Sequence, residues 1–296
     1  MDVLAFDLKE LTSRAGDGSF ATRAVRQRGL QAIARDLGEL GYHLPGAQSL
    51  KPKHIDALLG KWRAENLGDG TLKNRMGWIR WWAAAVRKTS ILLPTNEAYG
   101  IGKRQRFNGD RSNRLDPEKL ARVGDPLVRF SLQLQAAFGL RCEEAIKFRV
   151  AYADKGDRLV LKPSWTKGGR YREIPITHPK QRALLDTIKA TVGDRALIPD
   201  GKLYRDQMNR YRHEVARAGI GRGHGLRHAY AQWRYKVLTG QDCPAKGGPA
   251  ASRLSREGRS RDLWARELIA EELGHGRIDV TDAYLGRRTE PERKAA

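Results

Sequence analysis

Four segments, far apart in the chain, carry side chains suited to a phosphodiester. The first, Phe138-Gly139-Leu140-Arg141-Cys142-Glu143-Glu144, ends an apolar run at a glycine and puts Arg141 at the start of a new helix. A guanidinium there can fork onto two phosphate oxygens; the same side chain could equally serve as a structural partner of Glu144. The second, Thr166-Lys167-Gly168-Gly169-Arg170, sets Lys167 beside a tight-turn pair, where it reaches into a cleft or simply meets solvent. In the third, His224-Gly225-Leu226-Arg227-His228-Ala229-Tyr230, His224 and Arg227 share a helix face, and an imidazole beside a guanidinium can bind phosphate and shuttle a proton. The fourth runs from Glu272-Leu273-Gly274-His275 to Tyr284, nine residues past the histidine. A tyrosine in such a place is by default a packing residue, so any chemistry at Tyr284 depends on the other three segments.

Those segments need elements to bring them together. Asp116-Pro117 supplies an N-cap and a first-turn proline. From there the periodicity predicts helices over 117–123, 125–138, 142–148, 179–192, 202–218, 225–238 and 262–273. Residues 158–176 interrupt them with β-type runs on both sides of Gly168-Gly169. Upstream, Leu30, Ile33, Leu37 and Leu40 form a helical stripe closed by Gly41, and Ile55, Leu58, Leu59 and Trp62 form a second. A third helix, capped by Thr71, would bury Leu72, Met76, Ile79, Ala83 and Val86. Between about 90 and 113 the apolar period fails and Pro and Gly alternate with Lys and Arg, the composition of a linker.

Taken in order, Gly-Leu-Arg-x-x-Glu, a hairpin lysine, His-x-x-Arg, Leu-Gly-His and a tyrosine nine residues on resemble the tyrosine recombinase (phage integrase) family, of the mobile-element integrase type. The resemblance covers about 114–286; the first 110 residues are similar to that family's core-binding domain in length, helicity and basicity. It implies Arg141, Lys167, His224, Arg227, His275 and Tyr284 as the catalytic set. In that set two arginines stabilise the charge gathered by a pentavalent phosphorus. Lys167 protonates the departing 5′-oxygen, His224 accepts the Tyr284 proton, and His275 holds a nonbridging oxygen or the tyrosine. The product is a 3′-phosphotyrosine that a 5′-hydroxyl can attack, with no cofactor and no metal.

The fold implied is mainly α, a two-domain clamp around duplex DNA. A helical, SAM-like core-binding domain would occupy 1–108, and a mostly helical catalytic domain with a small antiparallel sheet 114–296. A basic loop at 239–261, longer than the family usually has there, would be inserted between two catalytic helices, contacting DNA or a neighbouring subunit or lying in solvent. The implied partners are specific double-stranded sites, a homotetramer on DNA and room for an accessory directionality factor.

Charge agrees with such a partner. Lys and Arg total 56 against 34 Asp and Glu, a net charge of +22 with pI near 10.3, spread along the chain. Lys73, Arg75 and Arg80 on or near the third helix, and Lys103, Arg104 and Arg106 in the linker, are candidate phosphate contacts, though each could be an ordinary solvated charge. No run of about twenty apolar residues exists, so the expectation is a cytoplasmic protein, nucleoid-associated in a bacterial host. Cys142 and Cys243 are too few and too separated for a disulfide framework or a thiolate metal site. The Walker phosphate loop, the G-x-S-x-G nucleophile elbow and the dinucleotide fingerprint are absent. Three rivals remain: a type IB topoisomerase, a noncatalytic DNA-binding regulator of the same fold, and a metal-dependent nuclease using His224 and His228.

Overall fold

The computed structural model describes residues 3–103, 107, 109–221 and 223–288. The chain divides into two compact units, Met1–Gln105 and Arg106–Ala296.

The first unit is built from α1 (Val3–Arg14), α2 (Phe20–Glu39), α3 (Pro52–Ala64) and α4 (Asp69–Ala85). The stripes read from the sequence face one another: Leu30, Ile33 and Leu37 of α2, Ile55, Leu58 and Trp62 of α3, and Leu72, Met76 and Ile79 of α4 share one core. Leu40 lies outside it, exposed, because α2 ends before it and the Tyr42 N–H turns back to the Leu37 carbonyl. Thr71 is not the α4 cap. Gly68 is, and Thr71 sits in the first turn with its N–H on the Gly68 carbonyl at 2.8 Å. Residues 90–101, whose composition suggested a linker, fold onto this unit. Tyr99 and Ile101 enter its core, and Tyr99 Oη accepts the Leu93 N–H at 2.8 Å. Two apolar anchors outweigh the surrounding Gly, Pro and charge.

The second unit contains α5 (Pro117–Ala121), α6 (Pro126–Phe138), α7 (Cys142–Ile146) and α8 (Val150–Ala153). The strands β1 (Arg158–Leu161) and β2 (Arg172–Pro175) follow, then α9 (Pro179–Val192) and α10 (Tyr204–Arg217). Last come α11 (His224–Thr239), α12 (Arg256–Glu272) and α13 (Asp282–Leu285). Asp116 and Asp125 cap α5 and α6, each followed by proline. The strands pair antiparallel with Leu159 opposite Ile174 and Leu161 opposite Arg172. Gly168 and Gly169, both at positive φ, close a turn in which the Gly169 N–H meets the Thr166 carbonyl at 3.2 Å. That turn lies within a longer excursion, because Pro163–Trp165 forms a helical turn that tucks Trp165 into the core.

α11 packs against α6, α12 and α13 at once, so residues on its first turns meet all three. The stretch after it differs from the expected 239–261 loop. α12 begins at Arg256, where Ser255 Oγ accepts the Gly258 N–H at 3.1 Å, so 256–261 are helical and the loop is 240–255. Gly258 and the arginines hid a capped helix start. No helix among the described residues is long and apolar enough to cross a membrane.

Candidate active site

Arg227 is the hub. It projects from the first turn of α11 into the second unit and is wholly buried. A buried guanidinium must have its donors satisfied, and three segments supply acceptors. Nη1 donates to the Gly139 carbonyl at 2.5 Å, Nη2 to the Leu273 carbonyl, and Nε to Tyr284 Oη at 3.4 Å. The glycines of Gly-Leu-Arg and Leu-Gly-His thereby gain a structural meaning. Gly139 ends α6 at φ +61°, and a Cβ there would stand 2.5 Å from the Tyr230 ring. Gly274, at φ +63°, would put a Cβ 2.8 Å from Arg172 Nη1.

Arg141 caps α7 beside this hub. Glu144 Oε2 accepts its N–H at 2.7 Å and Glu144 Oε1 its Nη1 at 2.8 Å, so the structural partnership weighed from the sequence exists. It does not remove the arginine from the site: Arg141 is part-exposed and lines a cleft of about 330 Å³ with Lys167, His224 and Gln135. Lys167 reaches that cleft from the β1–β2 connection and is exposed. Sequence reasoning missed Arg172. Its buried guanidinium chelates Glu144 at 2.6 and 3.1 Å and donates to the Leu273 carbonyl at 3.0 Å. The signal was present as alternation: Arg172 and Ile174 face inward on β2 while Glu173 faces out. Arg141 and Arg172 thus bond to one carboxylate on which the charge of Arg227 also acts, an excess of positive charge that favours an anion.

The histidines add none to that excess at neutral pH. Burial, then Arg227 and Arg141, push the His275 pKa down to about 3; burial and the neighbouring His224 push that of His228 down to about 4. His224 stands at the mouth of the cleft, and burial with Arg227 lowers its pKa below the usual 6.5. Arg227, pulled down to about 10 by burial and Arg141, stays charged. His275 Nε2 lies 3.2 Å from Arg227 Nη2, which as a donor leaves Nε2 to accept and the ring proton on Nδ1, a buried atom with no hydrogen-bond partner among the described residues. Tyr284 is 6% exposed, its ring 4.4, 5.2 and 5.7 Å from those of His228, His275 and His224. His224 Nε2 is 3.5 Å from Tyr284 Oη, a separation that substrate can tighten. All six residues suggested by the sequence thus face one region of the second unit. His228, which the nuclease reading needed as a metal ligand, packs its ring against that of the tyrosine.

A pH profile follows. If the chain cleaves DNA strands with neutral His224 accepting the tyrosine proton, its cleavage rate should be level near pH 7. It should fall with unit slope at acid pH, the bend lying below 6.5 because the imidazole pKa is lowered. His224→Gln should slow cleavage at pH 7 and erase that acid limb; an unchanged limb would assign the proton elsewhere.

Among the described residues no three of His, Cys, Asp or Glu stand close enough to share a metal ion. Of the candidate phosphate contacts in the first unit, Arg75 pairs with Asp36 at 2.9 Å and lies over the Trp62 ring, and Arg80 donates to the Leu93 carbonyl. Lys73 is 3.9 Å from Glu97, and Lys103 is exposed. Arg104 and Arg106 lie outside the described residues.

No curated protein sequence matches. The solved structures that resemble the chain include a lambda integrase dimer bound to a COC′ core site, at 15% identity and TM-score 0.58 over 99% of this chain and 78% of that one. XerH site-specific recombinase bound to palindromic difH substrate is another, at 15% identity and TM-score 0.58 over 98% and 82%. A Tn1549 transposon integrase in complex with transposon right end DNA matches at 12% identity and TM-score 0.51 over 94% of each chain. At such identities the likeness is one of fold. Family is carried by two profiles, "Phage integrase, N-terminal" over residues 1–91 and "Integrase" over 112–233. With both halves matched in order and a tyrosine recombinase fold throughout, the chain belongs to the phage integrase family of tyrosine recombinases.

Proposed function

We propose that the protein is a site-specific DNA recombinase that cleaves and rejoins strands through a 3′-phosphotyrosine at Tyr284, and that it integrates and excises a mobile element. The observation that carries this reading is the placement of Tyr284 Oη between Arg227 Nε at 3.4 Å and His224 Nε2 at 3.5 Å, beside the cleft lined by Arg141 and Lys167. The Arg227 Nε–H donates toward the oxygen that must lose its proton. Neutral His224 accepts that proton as the oxygen attacks phosphorus. The P–O5′ bond breaks, and Lys167 gives a proton to the departing 5′-oxygen. Arg141, held by Glu144, and Arg227 carry the charge on the nonbridging oxygens, and the His275 Nδ1 proton has an acceptor there. The phosphotyrosine keeps the energy of the broken ester, so a 5′-hydroxyl of a second strand reverses the step and joins new ends.

Four protomers on two sites, exchanging strands through a four-way junction, is the assembly proposed by analogy with the lambda integrase tetramer bound to a Holliday junction. The mobile-element role rests likewise on the transposon integrase. Duplex DNA would meet Lys73, Lys103, Arg104 and Arg106, with Arg75 and Arg80 holding the first unit's helices in place.

The test begins with a pool of random-sequence nicked duplexes. Species trapped covalently by detergent quench are sequenced to define the site, and two plasmids carrying it are then incubated with the protein in EDTA. Recombinant plasmids are expected. Relaxation without recombinants would make the chain a topoisomerase, binding without adducts a regulator, and cleavage only with added divalent cation a nuclease.

A further inference from the structure

The loop 240–255 takes no part in the reaction above, yet it is folded down onto the segment that carries Tyr284. Cys243 is buried in the core and Ala251 nearly so. The approach is close: a Cβ on Gly286 would stand 2.7 Å from the Ala245 nitrogen, and the Ala251 N–H donates to the Arg288 carbonyl at 2.9 Å. Lys246 Nζ lies 2.7 Å from Asp110 Oδ2, and Asp110 Oδ1 accepts the Gln232 amide at 2.8 Å. That same amide nitrogen donates to the main-chain carbonyl of Tyr284 at 3.1 Å. A relay of three side chains therefore joins the loop to the backbone of the nucleophile. Behind it, Arg266 donates to Asp282 at 3.0 Å and to the Gly286 carbonyl at 3.1 Å, so the short helix α13 is held at both ends as well as at its middle.

We propose that Lys246, Asp110 and Gln232 are positioning residues. With the loop 240–255 they form a clasp that sets the Tyr284 hydroxyl over the arginines of its own chain. The proposal rests on Tyr284 being the nucleophile. None of the three needs to touch DNA for the clasp to work: Lys246 neutralises Asp110, Asp110 orients the Gln232 amide, and the amide fixes a carbonyl one residue's length from the reacting ring. An error of about 1 Å in a reacting oxygen can cost on the order of 100-fold in rate. The carboxylate that orients the amide should therefore matter more than the part-exposed lysine that neutralises it.

Single-turnover cleavage of the nicked duplex recovered by covalent capture, measured beside equilibrium binding over a salt series, tests the clasp. Lys246→Met should slow cleavage about 3- to 10-fold, Lys246→Arg should restore it, and Asp110→Ala should slow it by roughly 10- to 100-fold. The double variant should be no slower than Asp110→Ala, since both act on one unit. Affinity and its salt slope should match wild type. If Lys246→Met instead weakens binding and lowers the salt slope by about one, Lys246 is a phosphate contact and the clasp is wrong. Wild-type rates in both variants, with wild-type adduct formation intact, would overturn the clasp alone, whereas absence of any adduct from the wild-type chain would overturn the function beneath it. Unchanged melting temperature in Lys246→Met separates mispositioning from unfolding.

Discussion

Tyr284→Phe is expected to abolish strand cleavage, by at least about 10⁴-fold, while leaving DNA affinity and the melting temperature close to wild type. The ring stays where it is, packed among His224, His228 and His275 and within the main core of the second unit. Only the hydroxyl is lost. Its two neighbours, Arg227 Nε and His224 Nε2, are long contacts at 3.4 and 3.5 Å, so removing it costs about 1 kcal/mol of stability at most. A packing tyrosine would give the same small stability change with cleavage intact. Gel-shift affinity, thermal melting and single-turnover cleavage on one substrate separate the two outcomes.

Arg141→Ala should slow cleavage by about 10²- to 10⁴-fold and change affinity by no more than about threefold, because the guanidinium matters most when charge has built up on the phosphorus oxygens. The structure lets this variant be interpreted. Glu144 keeps Arg172 at 2.6 and 3.1 Å and also keeps the residue-141 N–H, so no buried carboxylate is left bare. Arg227→Ala would be harder to interpret. Removing a wholly buried guanidinium takes the donor from the Gly139 carbonyl, leaves Leu273 its Arg172 donor alone and opens a cavity, at a cost on the order of 2–5 kcal/mol, which mixes unfolding with catalysis. Arg227→Lys, which keeps a donor and a charge but loses the fork, is the better companion and should show a rate loss of similar size. Equal losses of binding and cleavage in Arg141→Ala would make that residue an anchor.

How much of this was legible in the sequence differs from residue to residue. The six site residues were marked by motif order, and most of the helices around them by apolar period and by the Asp-Pro start at 116–117, while the short helix that carries Tyr284 was not. What the sequence hid was long-range pairing. Arg172 sat in a β run between Tyr171 and Glu173; alternation with Ile174 marks its face, but only the fold shows that it turns inward to meet Glu144. Asp110 and Lys246 lay in stretches whose Gly, Pro and basic content reads as linker and solvent loop, yet their charges neutralise each other across the fold. The boundaries shifted for local reasons: Ser255 capped a helix that Gly258 seemed to forbid, and Tyr99 and Ile101 drew a basic segment onto the first core.

The most direct test of the central claim is the identity of the residue and DNA end in the covalent species. The wild-type chain should be incubated in EDTA with the captured nicked duplex, quenched with detergent, digested with nuclease and protease, and the adducted peptide sequenced by mass spectrometry. The account predicts a phosphodiester between Tyr284 Oη and the 3′ end of the cleaved strand, with a free 5′-hydroxyl on the released fragment. An adduct on any other residue, or on a 5′ phosphate, would contradict it.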